Sequence, residues 1–581
     1  MADVNIKING KDYQVPEGIT VLEAARMANI HIPTLCFLKE INEIGACRMC
    51  VVEVKGAKGL VTSCVYPVAE GMEIFTQTKR VIESRVKNLQ LLLSNHNREC
   101  LSCVRSGKCE LQALCRLYDI KEDSIYDGEK PKYALDGSAV HLVRDNNKCI
   151  LCRRCVAVCE KNQGVGVIGP NERGFNTYIG SPFNMKLVET SCIGCGQCIA
   201  VCPTGALAEK DNTFETFAAL EDPTKHVIVQ VAPSVRAGLG EEFGLPIGVG
   251  VEGQMVNALR ALGFDKVFDT NFSADLTIME EANELVERIK NGGTLPMFTS
   301  CCPGWINYAE TFAGDMLDHI STCKSPQQMF GAMVKTYLAE KEGIPAEKIV
   351  VVSTMPCTAK KRELGRDFQN AAGVPDVDYS LTVREVARMI EKAGISFPGL
   401  EDEEFDAPLG IGTGAGTIFG ATGGVMEAAL RTANDWLNGE PQEAIDFAAV
   451  RGVKGVKEAT VNVGGNDLHV AVVSGLANAG ALLEKIRSGE AKYDFVEFMA
   501  CPGGCVNGGG QPQQKAKVRM VEDIRKERAM TLYRLDKSDC LRKSHENPEI
   551  IELYKEFLEK PGSEKAHAYL HTQYQAKGET K

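Results

Sequence analysis

Twenty-three cysteines in a chain of 581 residues are the first chemical signal, because most of them fall in tightly spaced runs. In a small secreted chain such a count suggests disulfides; in a long one, clustered thiols read as metal ligands. The clearest run is C-x2-C-x2-C-x3-C, at Cys149, Cys152, Cys155 and Cys159. It is repeated at Cys192, Cys195, Cys198 and Cys202, with Pro203 behind it. In two-cluster ferredoxins the fourth cysteine of each run serves the other cluster. Cys149, Cys152, Cys155 and Cys202 are therefore expected to hold one [4Fe–4S] cluster, and Cys192, Cys195, Cys198 and Cys159 the other.

Two further sets precede these. Cys36, Cys47, Cys50 and Cys64 follow a β-rich start and suit a [2Fe–2S] cluster, although four thiolates also suit structural zinc. His96, Cys100, Cys103 and Cys109 form H-x3-C-x2-C-x5-C, a one-histidine, three-cysteine set for a [4Fe–4S] cluster. A lone histidine is more often an ordinary surface or core residue, and only its place in this spacing favours ligation. Cys115 fits no set and reads as a buried structural thiol.

Sixteen cysteines lie in residues 1–202 and seven beyond. Of the seven, Cys302, Cys357, Cys501 and Cys505 each follow or adjoin an apolar, strand-like run. Four thiolates from three strand ends make a rigid, buried [4Fe–4S] site, and the Gly-rich turn at 503–510 lets backbone approach it closely. At these residues the resemblance becomes specific. Phe298-Thr-Ser-Cys301-Cys302-Pro-Gly-Trp305, Met355-Pro-Cys357-Thr-Ala-Lys360 and Phe498-Met-Ala-Cys501-Pro-Gly-Gly-Cys505 resemble the three signature motifs of [FeFe]-hydrogenases, in order and spacing. The likeness runs to the tail, where Lys543-Ser-His-Glu-Asn547 and Ala566-His-Ala-Tyr-Leu-His571 resemble the family's small-subunit-like segment. Residues 1–210 alone also resemble the large iron–sulfur subunit of respiratory NADH dehydrogenase and some formate dehydrogenases, which lack the three motifs.

The resemblance implies reversible conversion of H2 to protons and electrons at an H-cluster. This is a [4Fe–4S] cubane joined through one cysteine sulfur to a diiron unit with CO, CN⁻ and a dithiolate amine. It implies that Cys302, Cys357 and Cys501 bind the cubane and that Cys505 binds and bridges. It assigns cyanide contacts to Pro233, Ser234 and Lys360, and an apolar wall to Met355, Met499 and Phe419. It assigns proton transfer to Cys301, Glu281, Ser321 and Glu284, with Arg288 near the exit. By residue type alone, Lys360 reads as a surface lysine, the three apolar residues as ordinary core, and Met279-Glu-Glu-Ala-Asn-Glu284 as a solvated helical face. Glu281 and Glu284, at i and i+3, share a face.

These groups need elements to hold them. The expected fold is multidomain α+β and α/β, with ferredoxin-like iron–sulfur domains ahead of an H-cluster domain built on parallel sheets. The divisions are a [2Fe–2S] plant-ferredoxin-like domain at 1–80, a one-His/three-Cys domain at 81–140 and a two-[4Fe–4S] domain at 141–210. A catalytic domain follows at 211–514, then a small-subunit-like helical segment at 515–581, expected to wrap the outside. At the start, Val4, Ile6 and Ile8 predict a strand, Asn9-Gly10 a turn, and Val21 to Asn29 a helix. From His226, apolar runs alternating with helical stretches predict buried parallel strands, whose carboxyl ends usually gather ligands.

A net charge of −12 argues against nucleic acid or acidic membrane as a general partner. No apolar run reaches the ~20 residues that span a bilayer. The first residues lack a basic stretch followed by an apolar run, so an oxygen-poor cytoplasm is expected. Expected partners are ferredoxin, or flavin/NAD-binding and small iron–sulfur subunits of a possibly electron-bifurcating complex, together with maturation enzymes. No strand-plus-glycine fingerprint for NAD is convincing here, and Gly410–Gly416 is a weak one. The competing class is a non-catalytic H2 sensor or electron carrier on the same scaffold.

Overall fold

The computed structural model describes residues 2–121, 126, 128–443 and 445–577. The chain opens in a five-stranded sheet ordered Lys11–Pro16, Asp3–Ile8, Glu73–Phe75, Val51–Val54, Val61–Thr62. Val4, Ile6 and Ile8 alternate inward as expected, and Asn9 and Gly10 turn the chain with φ of 49° and 83°. The helix Val21–Met27 is started by a capping box between Thr20 and Glu23. It stops two residues earlier than the apolar pattern suggests, because Asn29 takes a left-handed φ of 56°. Helices Lys79–Ser94 and Glu110–Leu117 flank the His96 set, and the short helices Arg154–Lys161 and Gln197–Val201 belong to the duplicated cysteine runs.

Two small two-stranded sheets, Val143–Arg144 with Leu207–Ala208 and Gly169–Asn171 with Tyr178–Gly180, lie near the duplicated runs, and two four-stranded sheets follow. One is parallel throughout, in the order Lys266–Asp269, His226–Val231, Ile349–Met355, Tyr379–Thr382. The other joins Met297–Phe298, Phe495–Met499 and Asn466–Ser474 in parallel and adds Val456–Val463 antiparallel at its edge. The fold class is thus the expected one.

The helix Thr270–Asn291, capped by the Asp269 carboxylate, packs on helices Pro326–Met333 and Gly424–Asn438. It is buried continuously from Thr270 to Ala282, so its polar residues need partners. Asp275 receives Thr413 N at 2.9 Å, Thr413 Oγ1 and Ser544 Oγ at 2.7 Å, and Asn547 Nδ2 at 3.0 Å. Gly412 lies where a Cβ would come within 2.2 Å of the Asn271 Cβ, so glycine there serves close packing on this helix.

The C-terminal segment does not simply wrap the outside. Leu532, Ile550, Leu553, Leu558 and Leu570 are buried in the core, and Arg528 sits inside with Glu241 at 2.7 Å. Its high charge misleads because the charges are spent inward. Lys543 pairs with Asp435 at 2.6 Å, and Asp536 with Arg431 at 2.7 Å.

Candidate functional site

Three strand ends converge on one largely apolar cavity of about 80 Å³. Met297–Phe298 delivers Cys301 and Cys302, Ile349–Met355 delivers Cys357, and Phe495–Met499 delivers Cys501 and Cys505. Cys302 also starts the helix Pro303–Phe312, and its Sγ accepts Ala500 N at 3.4 Å. The turn between Cys501 and Cys505 requires glycine. Gly504 has φ of 92°, and a Cβ on it would come within 2.6 Å of Thr422 N.

Burial pushes the thiols of Cys302, Cys357, Cys501 and Cys505 up, Cys357 to about 11. Four thiolates persist in so dry a place only against a cationic group, which an iron–sulfur cubane supplies. The donor set and the space therefore fit a cluster.

The lining fits its expected attachments. Pro233 and Ser234 sit in a short turn just after strand His226–Val231. Ser234 is fully buried and its Oγ has no partner among the described residues, an orphaned donor facing the cavity. Lys360 is buried, not a solvated surface lysine. Its Nζ lies 3.3 Å from the Cys301 carbonyl and 3.0 Å from Glu363 Oε2. Glu363 is held in turn by Ser325 Oγ and Gln327 Nε2, both at 2.9 Å. Met355, Phe419 and Met499 complete the apolar wall of the same cavity.

Cys301 lines the cavity but is surplus to the four thiols. Beneath it lies Glu281, wholly buried rather than on a solvated face. Its Oε1 accepts Ser300 N at 3.2 Å, while its Oε2 has no partner among the described residues. Burial, then the Glu284 charge, pushes this carboxyl up to about 8. Further out, Ser321 Oγ donates to Glu284 Oε2 at 2.7 Å, and Arg288 Nη2 holds Glu284 Oε1 at 2.6 Å. The structure thus groups Ser321, Glu284 and Arg288 by direct bonds, and leaves Cys301 and Glu281 above them without a direct bond to that group.

The N-terminal sets assemble separately. Cys159, Cys192, Cys195 and Cys198 line one cavity, and Cys149, Cys152, Cys155 and Cys202 another, which is the crossed pairing. Cys195 also lines the cavity at the three strand ends, so the Cys159–Cys198 group abuts it. The Cys36–Cys64 group packs with Cys50 Sγ 3.2 Å from Cys64 Sγ. Asn42 Nδ2 joins the carbonyls of Cys36, at 2.8 Å, and Cys152, at 3.0 Å, tying that group to the second cavity. The His96 group meets the same cavity from another side, where Cys109 Sγ lies 3.6 Å from the Pro203 carbonyl. Burial, then Lys148, pulls the His96 imidazole down to about 4, so it is neutral and its unpartnered Nδ1 is a ready ligand. Cys115 is half-buried against these residues.

Residues without a motif also take part. His141 Nε2 lies 3.5 Å from Cys192 Sγ, and Thr358 Oγ1 donates to the Gly194 carbonyl at 2.7 Å. Arg154 ties Glu110 at 2.7 Å to the Cys36 carbonyl at 3.4 Å. Their partners are distant in sequence, so no local spacing signals them.

The chain matches the family described as iron only hydrogenase large subunit, C-terminal domain, over residues 225–509, and iron hydrogenase small subunit over 522–577. Residues 1–79 match a 2Fe-2S iron–sulfur cluster binding domain, and 148–206 a 4Fe-4S dicluster domain. Residues 85–124 match the NADH-ubiquinone oxidoreductase-G iron–sulfur binding region. The chain is 50% identical to the NADP-reducing hydrogenase subunit HndD of Solidesulfovibrio fructosivorans, covering 99% of each protein. It is 44% identical to iron hydrogenase 1 of Clostridium pasteurianum, covering 98% of this chain and 99% of that one. The solved apo [FeFe]-hydrogenase HydA1 of Chlamydomonas reinhardtii is 44% identical, with a TM-score of 0.57 over 63% of this chain and 99% of that one.

Proposed function

The chain belongs to the iron-only hydrogenase family, and from that premise we propose how its own residues perform the reaction H2 ⇌ 2 H⁺ + 2 e⁻ and where the electrons go. It is a hydrogenase with an iron–sulfur relay. The H-cluster, when bound, supplies the iron chemistry by which H2 is split or formed.

Cys302, Cys357, Cys501 and Cys505 would hold the cubane of the cluster. Ser234, the Pro233 backbone and Lys360 orient the diatomic ligands, while Met355, Met499 and Phe419 exclude water. Cys301 moves a proton between the cavity and Glu281; Glu281 passes it towards Ser321, and Ser321 to Glu284 Oε2. A carboxyl held near pH 8 both takes and gives protons at neutral pH.

Four accessory clusters carry the electrons: three [4Fe–4S] and one [2Fe–2S]. The route runs from the Cys195 group to the Cys149 group and then forks, through Asn42 to the Cys36–Cys64 group and through Pro203 to the His96 group. The domain divisions at 80, 140, 210 and 514 follow these groups. The observation that carries the reading is the convergence of four thiols from three strand ends on one cavity that also holds Cys301 and the orphaned Ser234 hydroxyl.

The identity to an NADP-reducing hydrogenase subunit favours a multi-subunit complex in which a partner chain binds flavin and NAD(P)(H). The second reading is a ferredoxin-linked enzyme acting alone. Purification under anaerobic conditions from the native cells, followed by H2-dependent reduction of NADP⁺, NAD⁺ or ferredoxin, separates the two. Nucleotide reduction that tracks a co-purifying flavin subunit supports the first; ferredoxin reduction by the isolated chain alone supports the second.

A further inference from the structure

At the outer end of the Ser321–Glu284 group, three side chains of metal-ligating type, far apart in sequence, come together. Glu284 (from Thr270–Asn291), Cys323 and His571 place their ligand atoms within 4.8 Å of one another. The geometry around His571 gives it a ligand's orientation. Its Nε2 lies 3.1 Å from Glu280 Oε2, whose carboxylate accepts from Tyr554 Oη and, at 2.9 Å, from Gly562 N. With Nε2–H given to that carboxylate, Nδ1 carries the lone pair and accepts the Thr322 hydroxyl at 2.7 Å, the bond that a metal would replace. A carboxylate behind an imidazole is the arrangement that fixes histidine for metal binding. Thr322 Oγ1 also lies 3.5 Å from Glu284 Oε2, so Nδ1 looks towards Glu284. The thiol of Cys323 is buried, 4.0 Å from the same Oε2. His567, exposed on helix Glu564–Leu570, has its ring 4.0 Å from that of the largely buried His571, four residues on.

We propose that Glu284, Cys323 and His571 form a site for a borderline divalent transition metal of the zinc class, with His567 as its entry ligand, and that occupation closes the proton exit. Thiolate, imidazole and carboxylate together match zinc rather than calcium or magnesium. Binding replaces the Cys323 S–H bond by S–Zn and releases one proton to solvent. It also engages Glu284 Oε2, the atom to which Ser321 donates. A metal there removes the acceptor for the outgoing proton without touching the cluster cavity. The closure rests on the relay reading above; the metal site does not.

The test uses the holoenzyme with ZnCl2 as probe, comparing the parent with Cys323→Ser and His571→Gln. Zinc-edge X-ray absorption reads the ligands and H2 evolution reads the effect, with iron content checked in each sample. The expected result is one zinc per chain with one sulfur at about 2.3 Å and nitrogen or oxygen at about 2.0 Å. H2 evolution falls at least ~10-fold at saturation, while Cys323→Ser loses the sulfur signal and His571→Gln binds ~10-fold or more weakly. Zinc bound without sulfur, or equally by both variants, overturns the site. A sulfur-ligated zinc that leaves turnover unchanged keeps the site and overturns its closure of the exit, placing the fault in the relay through Glu284.

Discussion

Glu281 and Glu284 stand one turn apart on the same helix and in opposite electrostatic settings. Glu281 is wholly buried with Oε2 unpartnered, whereas Glu284 is clamped by Arg288 at 2.6 Å and receives the Ser321 hydroxyl at 2.7 Å. Burial therefore holds the inner carboxyl protonated at neutral pH, while the outer one faces a guanidinium and a hydroxyl.

Replacing Glu281 by Gln keeps its size and removes its titration. H2 evolution should fall by about 100-fold or more, with iron content unchanged. Stability supplies an independent check. The carboxyl ionises near 4.5 when unfolded and about 8 when folded, so the folded state binds more protons between those values. The stability associated with its neutral form is complete below pH ~4.5 and is lost by about 1.4 kcal/mol per unit as pH rises towards 8. Thermal unfolding at pH 5 and pH 8 should show the Gln variant gaining on the parent as pH rises.

Ser321→Ala deletes the hydroxyl that donates to Glu284 and leaves the Arg288 clamp intact. Turnover should drop at least ~10-fold, and added small weak acids should restore part of it by carrying protons across the gap. An unchanged rate would remove Ser321 from the relay.

His96→Cys replaces a neutral ligand by an anionic one. The potential of that cluster should fall, read by EPR during a redox titration, because thiolate in place of imidazole makes the site more negative. No shift in any cluster signal would mean His96 is not a ligand.

Arg431→Met leaves Glu427 and Asp536 buried without their shared cation, at 2.8 and 2.7 Å in the parent. Because Arg451 still pairs with Glu427 at 2.6 Å and Arg542 with Asp536 at 2.7 Å, the expected loss stays below the ~3–5 kcal/mol of an uncompensated buried charge. Because Asp536 lies in the C-terminal segment, limited proteolysis should cut that segment first in the variant.

The groups of cysteines that the structure brings together were legible because cluster-type spacing is local: Cys149 to Cys155 and Cys192 to Cys198 are short stretches of chain. The strands ending at Cys357 and Cys501 were legible because their apolar runs are continuous. What escaped was set by long-range packing. Glu280 and Glu281 read as a polar helical face until Tyr554 and His571, nearly three hundred residues later, are folded over them. The tail's charge likewise hid its burial, since Arg528 and Lys543 find their carboxylates in Glu241 and Asp435. Asn42 and Arg154, which brace the Cys36 carbonyl, belong to no motif at all.

The central claim is that the cavity shared by Cys301 and Cys505 makes and consumes H2. The most direct measurement is H2 evolution from reduced methyl viologen by protein produced anaerobically with the maturation enzymes, beside Cys301→Ala and Cys505→Ala. The account predicts robust evolution by the parent, its loss in Cys301→Ala with iron retained, and its loss in Cys505→Ala with the bridged cluster missing. A parent that carries its full iron complement and diiron unit yet evolves no H2 would contradict it.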